Sequence, residues 1–155
     1  MKIRTDYVTN SSSSSFIVGF KDEGSVEQAL RNELYLGARF ETVLNDVRRN
    51  RISKEEALRE FKDEMYWDVK YVLKQEYERK LGWYNFYEWI EKPENKAEFD
   101  SAVNERFNIW FEEFKKKIKG LSYLAIVEYD DYCDGDLEHE IMPKLDCTIQ
   151  RFSHH

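Results

Sequence analysis

Residues 121–130 read Leu121-Ser-Tyr-Leu-Ala-Ile-Val-Glu-Tyr-Asp130, and this stretch decides the fold. Its centre, residues 123–127, is the longest unbroken apolar run in the chain. The β-branched and aromatic side chains of this run suit a buried, pleated surface. We therefore predict that residues 121–130 form the central strand of a small sheet. An acidic segment that contains Cys133 and His139 follows directly at the carboxyl end of this strand.

Two further strands are predicted near the ends of the chain. Residues 16–20, Phe-Ile-Val-Gly-Phe, form a short strand that the polar turn at residues 21–24 ends. Residues 147–153, Cys-Thr-Ile-Gln-Arg-Phe-Ser, are predicted to form the last strand. Together with residues 121–130 they give a sheet of two or three strands, built from the N- and C-terminal segments.

The part of the chain between these strands is predicted to be helical. Ser25, with Gln28 three residues later, indicates a capped helix over residues 25–35, which Gly37 ends. A second helix covers residues 39–50 and carries apolar side chains on one face. Residues 48–51, Arg-Arg-Asn-Arg, contain three arginines and indicate a solvated turn.

Two long helices follow, separated by an aromatic segment. Ser53 and Glu56 form a capping box for a long helix that ends at Gly82. Asn85 with Glu88 indicates a short capped helix, and another long helix runs from Pro93 to about residue 119. The two long helices are expected to pack as an antiparallel hairpin. The fold class is therefore α+β, with four to six helices packed against the small sheet.

Length and composition are those of one globular domain over residues 1–155. The chain is 41% apolar and 35% charged. No stretch approaches the ~20 apolar residues of a membrane span, and no signal-peptide core follows Lys2 and Arg4. Two cysteines, Cys133 and Cys147, fit a reducing compartment. We expect a cytoplasmic protein that does not interact with membranes.

The negative charge is concentrated in one segment. Eight carboxylates and one base, Lys144, lie between residues 128 and 146, and their sum of −7 equals the net charge of the whole chain. A local negative field of this kind repels nucleic-acid phosphates and attracts metal cations or a basic partner. No nucleic-acid binding is therefore expected.

Five consecutive serines, residues 11–15, precede the first predicted strand. One interpretation is a mobile lead-in to the strand. The other is that the serines begin the strand, where their small hydroxyl side chains would let another backbone or an anionic group come close. Because Gly19 is the sole glycine nearby, a glycine-rich phosphate loop is not indicated.

The two ends of the chain carry a recognisable pattern. Residues 6–16 read Asp-Tyr-Val-Thr-Asn-(Ser)5-Phe, and the C-terminal part contains Asp134-Gly135, Glu138-His139 and Arg151-Phe-Ser-His-His155. This pattern resembles that of a group of uncharacterised prokaryotic proteins, which share the Asp-aromatic-Val-Thr-Asn-(Ser)5-Phe opening and an Asp-Gly…Glu-His and Arg-x-Ser-x-His ending. The resemblance implies kinship and no particular activity. It also favours native terminal histidines over the remnant of an expression tag.

The acidic segment does not fit a calcium loop. With Asp130 at the first position, the third and twelfth positions hold Tyr132 and Ile141, where carboxylates are required. The cysteines and histidines between residues 133 and 155 match no compact zinc pattern. They approach one another only if the last strand pairs beside residues 121–130.

A divalent-metal site nevertheless remains one interpretation of this segment. Its candidate ligands are Asp134, Asp136, His139 and His154. The candidate catalytic residues for metal-dependent hydrolysis are Asp134, Glu138, His139 and His154. The alternative is a solvated acidic loop with a helix over residues 136–142, in which Asp136 is the cap and Glu138 and His139 point outward.

The aromatic segment between the long helices is the second candidate site. Its candidate interaction residues are Trp83, Tyr84, Tyr87 and Trp89. Exposed Trp and Tyr side chains are good anchors for a protein partner. The alternative is that these rings fill the end of the helical core.

These observations favour a non-enzymatic protein-interaction module that works through the aromatic segment or the acidic segment. The expected partner is another protein or a second copy of the chain, and no organic cofactor is expected. The alternative function is that of a metal-dependent hydrolase, which would use residues 130–155.

Overall fold

The structure is a computed structural model that describes residues 12–154. Ser11, the part of the N-terminal pattern before it, and His155 lie outside the described residues. The chain divides into two compact units, one formed by Met1–Ala57 with Ile118–His155 and the other by Leu58–Lys117. The single domain predicted over residues 1–155 stays a prediction.

The first unit is built on an antiparallel sheet. Its strands are β1 (Ser13–Phe20), β2 (Arg51–Ile52), β3 (Tyr123–Asp130) and β4 (Thr148–His154), in the order β2-β3-β1-β4. The described residues thus form four strands, where two or three were predicted. The additional strand is the two-residue β2, which lies in the predicted solvated turn and pairs with β3. Ser13, Ser14 and Ser15 belong to β1, so the last three serines of the run begin the strand.

Alternation along β1 separates the two faces of this sheet. Phe16, Val18 and Phe20 point to one face, where they pack in a buried cluster with residues of the surrounding helices. Ser14 lies on the same face as Phe16, because the two residues are two positions apart. Ser15 points to the opposite face for the same reason.

Short helices complete the first unit. They are α1 (Val26–Arg31), α2 (Phe40–Arg49) and α6 (Asp131–Asp136), followed by a π-helical turn (Leu137–Ile141) and a 3₁₀ turn (Met142–Lys144). Ser25 is at the N-cap position of α1 as predicted, but its side chain makes no capping hydrogen bond to this helix, so the predicted capping box with Gln28 is wrong. Asp22 instead caps a 3₁₀ turn before α1, and the Asp22 carboxylate accepts from the Ser25 backbone N–H. The helix predicted over residues 136–142 is replaced by α6 and the π-helical turn.

The second unit is a helical hairpin. It contains α3 (Lys54–Leu81), α4 (Trp83–Ile90) and α5 (Pro93–Ile118), of which α3 begins and α5 ends just outside its boundaries. Phe61 near the start of α3 stacks on Phe114 near the end of α5, and Tyr77 near the end of α3 contacts Phe99 near the start of α5. These contacts confirm the predicted antiparallel arrangement.

The ends of α3 follow the sequence signals closely. Ser53 Oγ accepts from the Glu56 N–H at 3.0 Å, and the Glu56 carboxylate accepts from the Ser53 N–H at 3.2 Å, which confirms the capping box. Gly82 ends the helix with a φ of 87°, a conformation that favours glycine. Asn85 does not cap α4 as predicted; its side-chain amide donates to the Leu81 carbonyl oxygen at 2.8 Å.

The α+β class is confirmed, with six α-helices between residues 12 and 154. No helix in this part of the chain combines the length and the apolar composition that a membrane span requires.

Candidate functional site

The carboxyl end of β3 positions the first candidate site. The Asp130 carboxylate accepts from the Cys133 N–H at 2.7 Å and caps α6. The Asp131 N–H donates to the Ser12 carbonyl oxygen at 2.9 Å, which ties the start of α6 to the residue preceding β1. The chain then turns back, and the π-helical turn brings Glu138 to the serines at the start of β1.

Glu138 is the only acidic residue that the structure buries between residues 12 and 154, with 1% of its surface exposed. Its Oε1 accepts from Ser12 Oγ at 3.0 Å and from Ser14 Oγ at 3.4 Å. Arg151 Nε in turn donates to Ser14 Oγ at 3.1 Å. Within the described residues no hydrogen bond reaches Oε2, the second carboxylate oxygen. A buried polar atom without a partner costs about 1–3 kcal/mol, and more when it is charged.

The unsatisfied oxygen faces two other side chains. Glu138 Oε2 lies 3.4 Å from His139 Nε2, and His139 Nε2 lies 2.7 Å from Asp131 Oδ1. One ligand atom from each of the three side chains falls within 4.8 Å of the others. The side chains of Asp131 and His139 are each 47% exposed, so solvent reaches the cluster from their side. We refer to Asp131, Glu138 and His139 as the acidic–histidine cluster.

The other candidate carboxylates of this segment pair with an arginine. Asp134 Oδ1 lies 2.5 Å from Arg39 Nη2, and Asp136 Oδ2 lies 3.7 Å from Arg39 Nε. Both aspartates therefore interact with a cation that belongs to the protein itself. Neither is a member of the acidic–histidine cluster.

His154 is placed with a different serine. Its Nε2 lies 3.1 Å from Ser15 Oγ, which also donates to Glu128 Oε2 at 3.3 Å. Ser14 and Glu138 lie on one face of β1, and Ser15 points to the opposite face. The last strand pairs with β1, and β1 separates it from β3, so the pairing of β4 beside β3 does not occur. The structure thus joins His139 to Glu138 and places His154 elsewhere.

Two buried groups of the first unit have pKa values above their ordinary range. Burial raises the pKa of the Tyr129 phenol, and its hydrogen bond to Asp46 Oδ2 at 2.9 Å adds to the shift. Burial likewise raises the pKa of the Cys147 thiol, with a further contribution from Glu33. Both side chains therefore stay protonated at neutral pH, and Cys147 is a poor nucleophile.

The second candidate site is an aromatic surface on α3 and α4. Trp83, Tyr84 and Tyr87 are between 42% and 74% exposed, whereas Phe86 is buried and Trp89 packs partly against the helical core. The predicted interaction residues are thus divided: three are at the surface and Trp89 is mostly a packing residue. Trp67 and Tyr71 of α3, both more than 60% exposed, present further rings to solvent.

Two lysines lie against two of these rings. Lys74 Nζ donates to Tyr87 Oη at 3.2 Å and lies 5.3 Å from the centre of the Tyr87 ring. This hydrogen bond is the main cause of the raised pKa of Lys74. Lys70 Nζ lies 5.4 Å from the centre of the Trp67 ring. We define the aromatic face as the five exposed rings Trp67, Tyr71, Trp83, Tyr84 and Tyr87, with Lys70 and Lys74 beside them.

An open pocket of about 370 Å³ lies at the β2 edge of the sheet. Its lining consists of Arg51, Ile52, Ser53, Lys54, Ser122 and Leu124. This set offers two cations and no acid, histidine or thiol, so it lacks a general base or a nucleophile activated by one.

The sequence reasoning missed several members of both sites. Asp131 lies within the candidate segment but was not among its predicted ligands, and the partners of Glu138 lie more than 120 residues away in sequence. Trp67 and Tyr71 carried a signal that could have been used. They lie one turn apart on α3 and outside its apolar stripe, which is the pattern of exposed rings.

Comparison with known proteins gives no function to either site. No protein-family model, curated protein or solved structure matches the chain. The resemblance to the prokaryotic group with the serine-rich opening therefore stays a prediction, as does the metal-dependent hydrolase.

Proposed function

We propose that the protein is a non-enzymatic interaction module that binds another protein through the aromatic face. The observation that carries this proposal is the exposure of five Trp and Tyr rings on two successive helices. Exposing large apolar rings to water is unfavourable, and Trp83 contacts both Tyr84 and Tyr87, so three of the rings form a contiguous surface of the kind that typically marks a binding site. Trp and Tyr are also the residues most enriched among the energetically dominant contacts of protein interfaces.

The charge of the aromatic face indicates the chemistry of the partner. Lys70 and Lys74 hold ammonium groups against the rings, and the Lys74 ammonium also lies 3.9 Å from Glu78 Oε1. These two side chains are 40% and 22% exposed, and an ion pair at the surface is weak, so a partner carboxylate can compete with Glu78 for Lys74. A partner segment that combines carboxylates with apolar side chains would pair with the lysines and cover the rings at the same time. The occupant that we propose is therefore an acidic protein segment with apolar anchors.

Peptide selection on the immobilised full-length protein tests this proposal. A random peptide library should yield sequences in which Asp or Glu adjoins Trp, Phe or Leu. A variant with Trp67→Ala and Tyr84→Ala should lose these peptides, because it removes a ring from each helix of the aromatic face. The matched control is a variant with Leu34→Ala and Ile109→Ala, which removes two exposed apolar side chains outside this face.

Circular dichroism and thermal melting must show that both double variants fold like the wild type. The proposal fails if the selected peptides are not acidic, or if both double variants lose them equally. Sedimentation velocity on the protein alone distinguishes the source of the partner segment. Self-association that disappears in the Trp67→Ala, Tyr84→Ala variant would identify a second copy of the chain as the occupant.

A further inference from the structure

We infer that the acidic–histidine cluster binds a divalent transition-metal ion, with Glu138 Oε2 as its fixed ligand and Asp131 and His139 as its mobile ligands. The starting point is the environment of Glu138. A carboxylate with 1% exposure keeps one oxygen without a hydrogen bond among the described residues, while the other oxygen has two serine donors. A cation is the partner that such an oxygen lacks.

The donor set indicates the class of metal. Two carboxylate oxygens and one imidazole nitrogen are ligands that Zn²⁺ and Mn²⁺ accept, whereas Mg²⁺ and Ca²⁺ prefer oxygen ligands alone. Three protein ligands also leave coordination positions for water. We therefore expect Zn²⁺ or Mn²⁺ to bind more tightly than Mg²⁺.

Two of the three distances between the ligand atoms are close to those of a bound state, and the third, between Glu138 and Asp131, is at most 4.8 Å. Ligand atoms about 2.1 Å from one metal ion lie roughly 3.0–3.5 Å apart. The 3.4 Å between Glu138 Oε2 and His139 Nε2 already falls in this range. The 2.7 Å between His139 Nε2 and Asp131 Oδ1 is a hydrogen-bond distance and must widen by a few tenths of an ångström. Both of these side chains are half exposed, so they have room to move.

Hydrogen bonds from the serines orient the fixed ligand. Ser12 and Ser14 donate to Oε1, which leaves Oε2 directed at His139. Arg151 donates to Ser14 and extends the same network across to β4. Partners of this kind commonly contribute 10- to 100-fold to metal affinity. Ser12 and Ser14 thus support the metal ligand.

Isothermal titration calorimetry of the metal-stripped, full-length protein with Zn²⁺ and Mn²⁺ tests the inference. The wild type should show one saturable site. Glu138→Gln and His139→Gln should each weaken the Kd by more than about 100-fold, and Ser14→Ala by about tenfold. The control is Glu140→Gln, which removes the same charge from an exposed position of the same segment and should change the Kd less than twofold.

Two results would overturn the inference: no saturable binding by the wild type at millimolar metal, or the same Kd in the wild type and in both ligand variants. The second result would assign the metal to the terminal histidines or to the general negative field of the segment. His139 is exposed, so His139→Gln decides the question even if Glu138→Gln fails to fold. Visible absorption of the Co²⁺-loaded protein adds a direct readout, because its ligand-field bands should change in His139→Gln. None of these residues belongs to the aromatic face, so each proposal can fail while the other stands.

Discussion

The two units place their unusual side chains in opposite ways. In the first unit, polar groups are taken out of water: Glu138, Ser14 and Ser15 are buried at one end of the sheet. In the second unit, aromatic rings are exposed to solvent on the surface of helices α3 and α4. Other side chains of these helices fill the buried core of the unit. The comparison teaches that a site can be made by burial, which fixes a group and its partners, or by exposure, which leaves a surface for another molecule.

The largest expected effect tests whether the two units unfold together. All four tryptophans lie between residues 58 and 117, so tryptophan fluorescence reports on the second unit alone. Phe16→Ala empties a fully buried site in the first unit and should cost about 3–5 kcal/mol. If the chain is the predicted single domain, this variant lowers the denaturation midpoint seen by fluorescence as much as that seen by far-ultraviolet circular dichroism.

The matched control for this experiment is Phe99→Ala, which removes a buried ring from the second unit. It should lower the fluorescence midpoint in either case. A Phe16→Ala protein with an unchanged fluorescence midpoint would contradict the single-domain prediction and show that the second unit unfolds independently.

The difference between the units also explains how much the sequence revealed. The two long helices of the second unit were predicted within one or two residues, because their apolar stripes and end signals are local. The first unit was predicted less well. Strand β2 has only two residues and no periodicity, and it exists because β3 offers it a partner. Sequence patterns do not report such long-range pairing.

The acidic–histidine cluster also depends on contacts between residues that are far apart in the sequence. Glu138 and His139 were among the predicted catalytic residues, but Glu138 was expected to point outward if the segment were a plain helix. It is buried because β1 brings two serine hydroxyls to it from the other end of the chain. Asp134 and Asp136 were predicted metal ligands, but both form ion pairs with Arg39. The position of Arg39 depends on the folding of the α1–α2 region, which sequence patterns of the acidic segment do not report.

Tyr129→Phe should cause the next largest loss of stability. It tests how much a buried polar group of the first unit contributes to the free energy of unfolding. The phenol donates to Asp46, and a hydrogen bond to a charged group contributes about 1.5–3 kcal/mol. The variant should be less stable by this amount at pH 7. Urea denaturation measures the difference.

The pH dependence of Tyr129→Phe provides a second measurement. The folded state raises the pKa of Tyr129, so it holds the phenolic proton more tightly than the unfolded chain does. The resulting stability is complete below the ordinary tyrosine pKa of about 10 and is lost as the pH rises above it. Tyr129→Phe should therefore lose less stability than the wild type between roughly pH 9.5 and 11. If the wild type and Tyr129→Phe lose the same stability over this pH range, another group must cause the loss of stability at alkaline pH.

A smaller effect is expected at the start of α3. Ser53→Ala removes the side-chain acceptor of the confirmed capping box and should cost about 1 kcal/mol. The informative control is Gln28→Ala, at the position of the capping box predicted for α1. The Gln28 side chain donates to Asn32, so this substitution should cost less than about 0.5 kcal/mol. Equal losses at the two positions would contradict the assignment of the caps.

The smallest expected effect tests whether the exposed rings of the second unit contribute to stability. Tyr84 is 74% exposed on α4, and Tyr84→Ala should change the free energy of unfolding by less than about 0.5 kcal/mol. Phe86→Ala on the same helix should cost about 3–5 kcal/mol, because its ring is buried in the core of the second unit. Urea denaturation of both variants measures the contrast. A loss above about 1 kcal/mol in Tyr84→Ala would mean that its ring supports the fold, and the aromatic face would then lose a residue on which its role in binding depends.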